Sequence, residues 1–106
     1  MKTLRVPLSK LYTPDWKLQQ TINEVRRGLV SHATGQPIIV SKLETPRGAY
    51  FVMDGNHRVL EAIERGETKI SAVVNPHVPN MHRAGGAFNS MLATAVRIAD
   101  YVKRIR

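Results

Sequence analysis

The stretch "YFVMDGNHRVLEAIERGE", residues 50–67, decides how the rest of the sequence is read. Its aromatic and β-branched opening predicts a strand, Asp54-Gly55-Asn56 a turn, and His57 to about Arg65 a helix. Val59, Leu60, Ala62 and Ile63 give that helix an apolar side, and Gly66 is a natural residue just past its end. The corner has two readings. In the plain one, Gly55 turns the chain and Asn56 caps the helix. In the other, the corner holds an anion such as nucleotide phosphate. A helix start leaves backbone N–H groups unpaired and carries partial positive charge. Gly55 would let backbone approach a ligand closely, and Arg58 would add a charge-assisted contact to phosphate oxygens. His57 can donate a hydrogen bond or exchange a proton near neutral pH. Asp54, at the strand end, could hold magnesium through oxygen or activate a hydroxyl.

Working outward, "PIIVSKLE" (37–44) and "AYFVM" (49–53) read as two strands of a hairpin, joined by the tight turn "TPRG". Upstream, "LRVPL" (4–8) reads as a short strand, with Pro7 favouring an edge. Thr13, Pro14 and Asp15 look like a helix start. The helix they begin has Leu18, Ile22, Val25 and Leu29 at helical spacing, and Gly28 near its end. Downstream, "KISAVV" (69–74) is a further strand, stopped by Asn75-Pro76, and 75–87 is irregular. The last segment, "FNSMLATAVRIADYVKRIR", predicts one long amphipathic helix, with Phe88, Met91, Leu92, Ala95, Ile98, Ala99, Val102 and Ile105 at three- and four-residue steps. The order β-α-β-β-α-β-loop-α predicts an α+β fold: a small mixed β-sheet, packed helices and a long C-terminal helix. Residues 1–75 form the expected core, and 76–106 the loop and C-terminal amphipathic helix of the same domain.

The chain's 106 residues suit one modest core. It has no cysteine, which excludes disulfides, thiolate metal sites and thiol nucleophiles. Charges and prolines occupy the N-terminal stretch where a signal peptide needs an apolar run, and no apolar segment has the length of a membrane span. A soluble, cytoplasmic protein with no membrane partner is expected. Sixteen Lys and Arg against eight Asp and Glu give a formal charge of +8. Such a surface attracts polyanions: nucleic acid, nucleotides or an acidic protein.

Other features carry less. Arg83-Ala84-Gly85-Gly86 reads either as a hinge or as a second anion-binding helix start. His77 and His82, five apart in a proline-containing loop, do not share a helical face as zinc ligands would. His32 falls in a loop, and Trp16, just before the first helix, reads as a core anchor, with base stacking as the alternative. The apolar stripe of the last segment reads as core packing, with a homodimer or partner-docking face as the alternative.

"DGNHRVLEAIERGETKISAVV" resembles the signature segment of the ParB/sulfiredoxin superfamily, in which a strand leads to Gly-x-[His/Arg]-Arg at a helix start. "RVPLSKL" and "GQPIIVSKLETPRGAYFVMDG" also resemble the N-terminal domains of ParB proteins, so the likeness covers roughly residues 4–75. The resemblance implies a pocket for a nucleoside triphosphate, ATP or CTP, with Mg2+. Gly55, Asn56, His57 and Arg58 would contact its phosphates, and Gly35, Gln36 and Pro37 would help form its wall. His57 and Asp54 would be the catalytic residues, Asp54 also the metal ligand.

The sequence departs from the family in instructive places. Sulfiredoxins place a reactive cysteine where this chain has Asn56, so thiol-based repair is excluded. Chromosome-segregation ParB proteins carry Gly-Glu-Arg-Arg-x-Arg at the corner; here Asn56, His57 and Leu60 replace its Glu, first Arg and last Arg. The expected function is therefore that of a ParB-like nucleotide-binding domain, a nucleoside triphosphatase or nuclease (a hydrolase) acting with nucleic acid. One alternative is a non-enzymatic DNA- or protein-binding accessory module. The other is a small-molecule kinase resembling the free-serine kinases, which carry a similar Asp-Gly-His-His-Arg run.

Overall fold

A computed structural model describes residues 2–28 and 35–105. The quoted stretch forms strand β4 (Tyr50–Asp54) and helix α2 (Asn56–Glu64), joined through Gly55. Strand β3 (Ile38–Lys42) pairs antiparallel with β4, so the expected hairpin is present, with a register shift between Ile39 and Val40. The other expected elements also form: β1 (Leu4–Pro7), α1 (Asp15–Arg26) and β5 (Lys69–Val74).

Two strands absent from the sequence reading complete the sheet. Residues Leu11–Pro14 form β2, directly before α1, and Ala95–Arg97 form β6. The strand order is β1-β5-β3-β4-β2-β6. β2 runs parallel to β4 and β3 parallel to β5, while β1–β5, β3–β4 and β2–β6 are antiparallel. The architecture is the expected α+β arrangement around a mixed sheet.

Adjacent residues of a strand face opposite sides of a sheet, and β4 shows the result. Val52 joins a core built with Leu18 and Ile22 of α1, Val59, Leu60 and Ala62 of α2, and Ile38, Val40 and Ala72 of the sheet. Phe51 joins a smaller cluster with Leu43, Ala49 and Met81, flanked by Met53, Met91 and Leu92. Of the apolar stripe predicted for the first helix, Leu18 and Ile22 are buried and Val25 is half-buried. Leu29 and His32 lie outside the described residues.

The long C-terminal helix does not form. Its place is taken by the five-residue α3 (Asn89–Ala93), β6, a 3-10 turn (Ile98–Tyr101) and the short α4 (Val102–Ile105). The reason is an unfilled sheet edge. Pairing Tyr12 with Arg97, Thr13 with Val96 and Pro14 with Ala95 occupies the outer side of β2. The Asp15 N–H also donates to the Thr94 carbonyl at 2.9 Å. Exposed strand edges leave backbone groups unpaired, and this demand outweighs a helical spacing of apolar residues. Ile98 and Tyr101 enter the main core from the 3-10 turn instead, and the Tyr101 hydroxyl donates to Glu64.

Ile98→Asp therefore tests the core rather than a docking face. Ile98 is fully buried, and a carboxylate there is expected to cost about 4 kcal/mol or more. Circular dichroism of the purified variant should show loss of the cooperative unfolding transition. A well-folded variant changed only in oligomeric state would contradict this placement.

Candidate functional site

The corner is built around a glycine whose position leaves no room for a side chain without a shift of its neighbours. Gly55 lies at φ +117°, and a Cβ on it would meet Ile38 Cγ2 at 2.5 Å and Ile38 Cβ at 2.9 Å. The left-handed backbone and close packing against β3 swing the chain out of the sheet and start α2. Gly55 is itself the N-cap, and no side chain caps the helix. Asn56 is thus not the cap suggested by the turn reading. It is the first helical residue, and its buried Oδ1 has no hydrogen-bond partner.

Arg58 is 8% exposed and faces inward. Its Nη1 donates to the carbonyls of Gln36 at 3.1 Å and Pro37 at 2.8 Å, and its Nη2 donates to Asp54 Oδ2 at 3.0 Å. One guanidinium thereby fastens the turn before β3 and the end of β4 to α2. The Asp54 side chain, 68% exposed, is the outer half of this pair. His57 turns another way: its Nε2 lies 3.0 Å from Glu24 Oε1 of α1, and its Nδ1 is buried without a partner. This contact with a carboxylate fixes the orientation of the ring.

The sequence-predicted residues divide among three places. Gly35, Gln36 and Arg58 line a cavity of about 150 Å³ together with Arg5, Glu61, Arg65 and Ser71. Asn56 lines a different cleft of about 120 Å³ with Thr13, Trp16, Lys17 and Met53. His57 and Asp54 line neither, and Gly55 sits between, against Ile38. Among the described residues, no group of three or more His, Asp or Glu is placed to hold a metal ion. Nor is any helix among them long and apolar enough to cross a membrane.

No family model matches the chain, and no curated protein matches it. The solved structures to which the chain is similar include two of different function. One is the C-terminally truncated chromosome-partitioning protein ParB from Caulobacter crescentus, complexed with CTP-gamma-S: 19% identity, TM-score 0.46, covering 71% of this chain and 44% of that one. The other is sulfiredoxin from Arabidopsis thaliana: 18% identity, TM-score 0.43, covering 71% of this chain and 85% of that one. The chain spans less than half the length of the ParB structure.

Several residues of the site escaped the sequence reading. Arg5 enters because β1 pairs with β5 and sets it beside Ser71, whose Oγ accepts from its Nη1 at 3.2 Å. Arg65, the residue just past α2, lies about two turns from Arg58 and lines the same cavity. Glu24 shows only as a polar helix position until α1 is set against α2. Trp16 is a correction: it is 58% exposed, the one exposed large hydrophobic among the described residues, and anchors no core. The stretch at Arg83–Gly86 does not open a sustained helix. It forms 3-10 turns, and Arg83 pairs with Glu44 at 2.9 Å. His82 accepts the Glu44 N–H through Nδ1, serving that loop.

Proposed function

We propose that this chain is a ParB-like nucleotide-binding domain whose phosphate site is the cavity between α2 and the Gly35–Pro37 turn. The observation that carries the reading is that three arginines, Arg5, Arg58 and Arg65, line one cavity of about 150 Å³. Glu61 and Glu67 on its lining offset part of this charge, and Arg65 Nε donates to Glu67 at 2.7 Å. Each guanidinium has five N–H donors, so Arg5 and Arg65 keep donors for phosphate oxygens beside their protein partners. The cavity is smaller than a pocket that encloses a whole nucleotide. It suits the phosphates, with the nucleoside resting outside. The Gln-Pro and Gly-x-His-Arg resemblance supports the same location. Magnesium would arrive on the phosphates, which bind it with few protein ligands. The formal charge of +8 supports nucleic acid as a further partner, through phosphate contacts that weaken with salt.

Turnover is the finer part of the proposal, and His57 would carry it, oriented by Glu24. A second reading, binding without turnover, is favoured by a specific observation: His57 is hydrogen-bonded to Glu24, Asp54 is paired with Arg58, and neither lines the cavity.

Calorimetric titration with ATP, CTP, GTP and ADP, with and without magnesium, tests the binding claim. Arg5→Ala and Arg65→Ala should each weaken the preferred nucleotide by about tenfold or more, the scale of one charge-assisted hydrogen bond. Both residues are exposed, so the thermal midpoint should barely move. Unchanged affinity in both variants would remove the phosphate site from this cavity. Phosphate release measured on the same samples, with His57→Gln as control, separates turnover from binding.

A further inference from the structure

The second cleft goes beyond the phosphate reading, because the two cavities share no lining residue. It sits over the β4–β2 end of the sheet, where α1 and α2 both begin, and measures about 120 Å³. Its walls are largely apolar: Pro14, Phe51, Val52, Met53 and Met91, with the exposed Trp16 indole among them. Lys17 Nζ lies 6.0 Å from the indole centroid, within reach of the ring's negative face.

Two polar groups on its lining are anomalous. Thr13 is fully buried and Asn56 is 8% exposed, yet Thr13 Oγ1 and Asn56 Oδ1 have no hydrogen-bond partner. Buried polar atoms left unpaired are rare and costly. Valine has nearly the shape of Thr13 without the hydroxyl, and the N-cap of α2 is Gly55 rather than Asn56. An apolar cleft with two unused polar groups is the ordinary composition of a small-molecule site.

We propose that this cleft binds an amino-substituted aromatic heterocycle, the chemistry of an adenine-type base. Asn56 Oδ1 accepts only, so its ligand must offer a donor, which an exocyclic amino group supplies. The Thr13 hydroxyl can donate, and a ring nitrogen beside an amino group gives it an acceptor. Lys17 and the starts of two helices disfavour an ammonium ligand at the cleft mouth. The Trp16 indole supplies a face for the ring to stack on.

Trp16 is the sole tryptophan of the chain, so its fluorescence reports occupancy directly. Adenosine should quench it saturably, and purine riboside, which lacks only the amino group, should bind at least about tenfold more weakly. Thr13→Val and Asn56→Leu should each abolish saturable quenching while leaving the thermal midpoint unchanged or raised. Adenosine carries no phosphate, so failure here is separable from failure at the arginine-lined cavity. A single-stranded deoxyadenosine oligonucleotide, run beside the nucleoside, identifies the source: tighter binding of the oligonucleotide assigns the cleft to a base within a polymer, tighter binding of adenosine to a free one. Equal quenching by adenosine and purine riboside, quenching that never saturates, or saturable quenching retained in both variants would overturn the proposal and leave the cleft a solvent-filled groove beside an exposed indole.

Discussion

Replacing Gly55 with alanine is expected to lower stability by about 2–5 kcal/mol, enough to unfold a large fraction of a domain this size at ambient temperature. The left-handed conformation costs an L-residue about 1–2 kcal/mol, and forcing a methyl into a packed core adds about 1–3 kcal/mol. Both apply at Gly55, whose added Cβ would meet Ile38 Cγ2 at 2.5 Å and Cβ at 2.9 Å. The obstacle is a strand residue in the sheet's centre, so it cannot swing aside as an exposed side chain would. Urea denaturation followed by circular dichroism measures the effect. A midpoint that falls with an unchanged slope assigns the loss to the native state. A loss below about 0.5 kcal/mol, the size of an ordinary surface substitution, would mean that Ile38 yields and the corner is not sterically fixed.

Arg58→Ala is expected to destabilise by about 3 kcal/mol, and Arg58→Lys to recover little of it. The alanine variant leaves the Gln36 and Pro37 carbonyls without their donor, each lost partner costing about 1 kcal/mol or more where water cannot replace it. Loss of the alkyl stem's packing adds to this. The Asp54 pair adds little, because its carboxylate side chain is 68% exposed and solvent-screened. An ammonium is a point donor and does not reproduce a planar fork reaching three acceptors. The consequence for function is direct. Loss of nucleotide binding in Arg58→Ala would not by itself identify a phosphate contact, because the variant also releases the turn bearing Gly35 and Gln36. Thermal unfolding of the two Arg58 variants beside Arg5→Ala separates the roles: a large fall in midpoint for the first two and almost none for the third. Equal midpoints for all three would return Arg58 to the status of a ligand-facing side chain.

The fold was legible where local pattern and tertiary demand agree. The hairpin, the strand–glycine–helix corner and β5 each have a turn residue at the right place and an apolar set of the right period. β2 was hidden because Leu11–Pro14 is four residues long and runs straight into α1; nothing local separates a helix lead-in from a strand. The segment after Phe88 misled for the opposite reason. Its apolar spacing satisfies a helix, but Ala95–Arg97 serves the open side of β2, and that need is not written in the segment itself. The site divides along the same line. Gly55 and Arg58 were visible as residues that matter, while their tasks, a steric fit to Ile38 and a bridge to two carbonyls, depend on a strand and a turn about 20 positions away in sequence. Arg5, Glu24 and Trp16 gain meaning only from what the sheet and the helices set beside them.

The two outermost strands have a further consequence, for behaviour at high concentration. β1 is four residues long, bears the exposed Arg5 and ends in Pro7, which has no N–H to offer a neighbour; β6 is three residues long and ends in the exposed Arg97. Brevity, charge and proline are the features that stop one sheet from templating another. The molecule thereby protects itself against fibrillar stacking at both flanks, and self-association of the folded chain would have to use a face of the sheet or a helix rather than its rim.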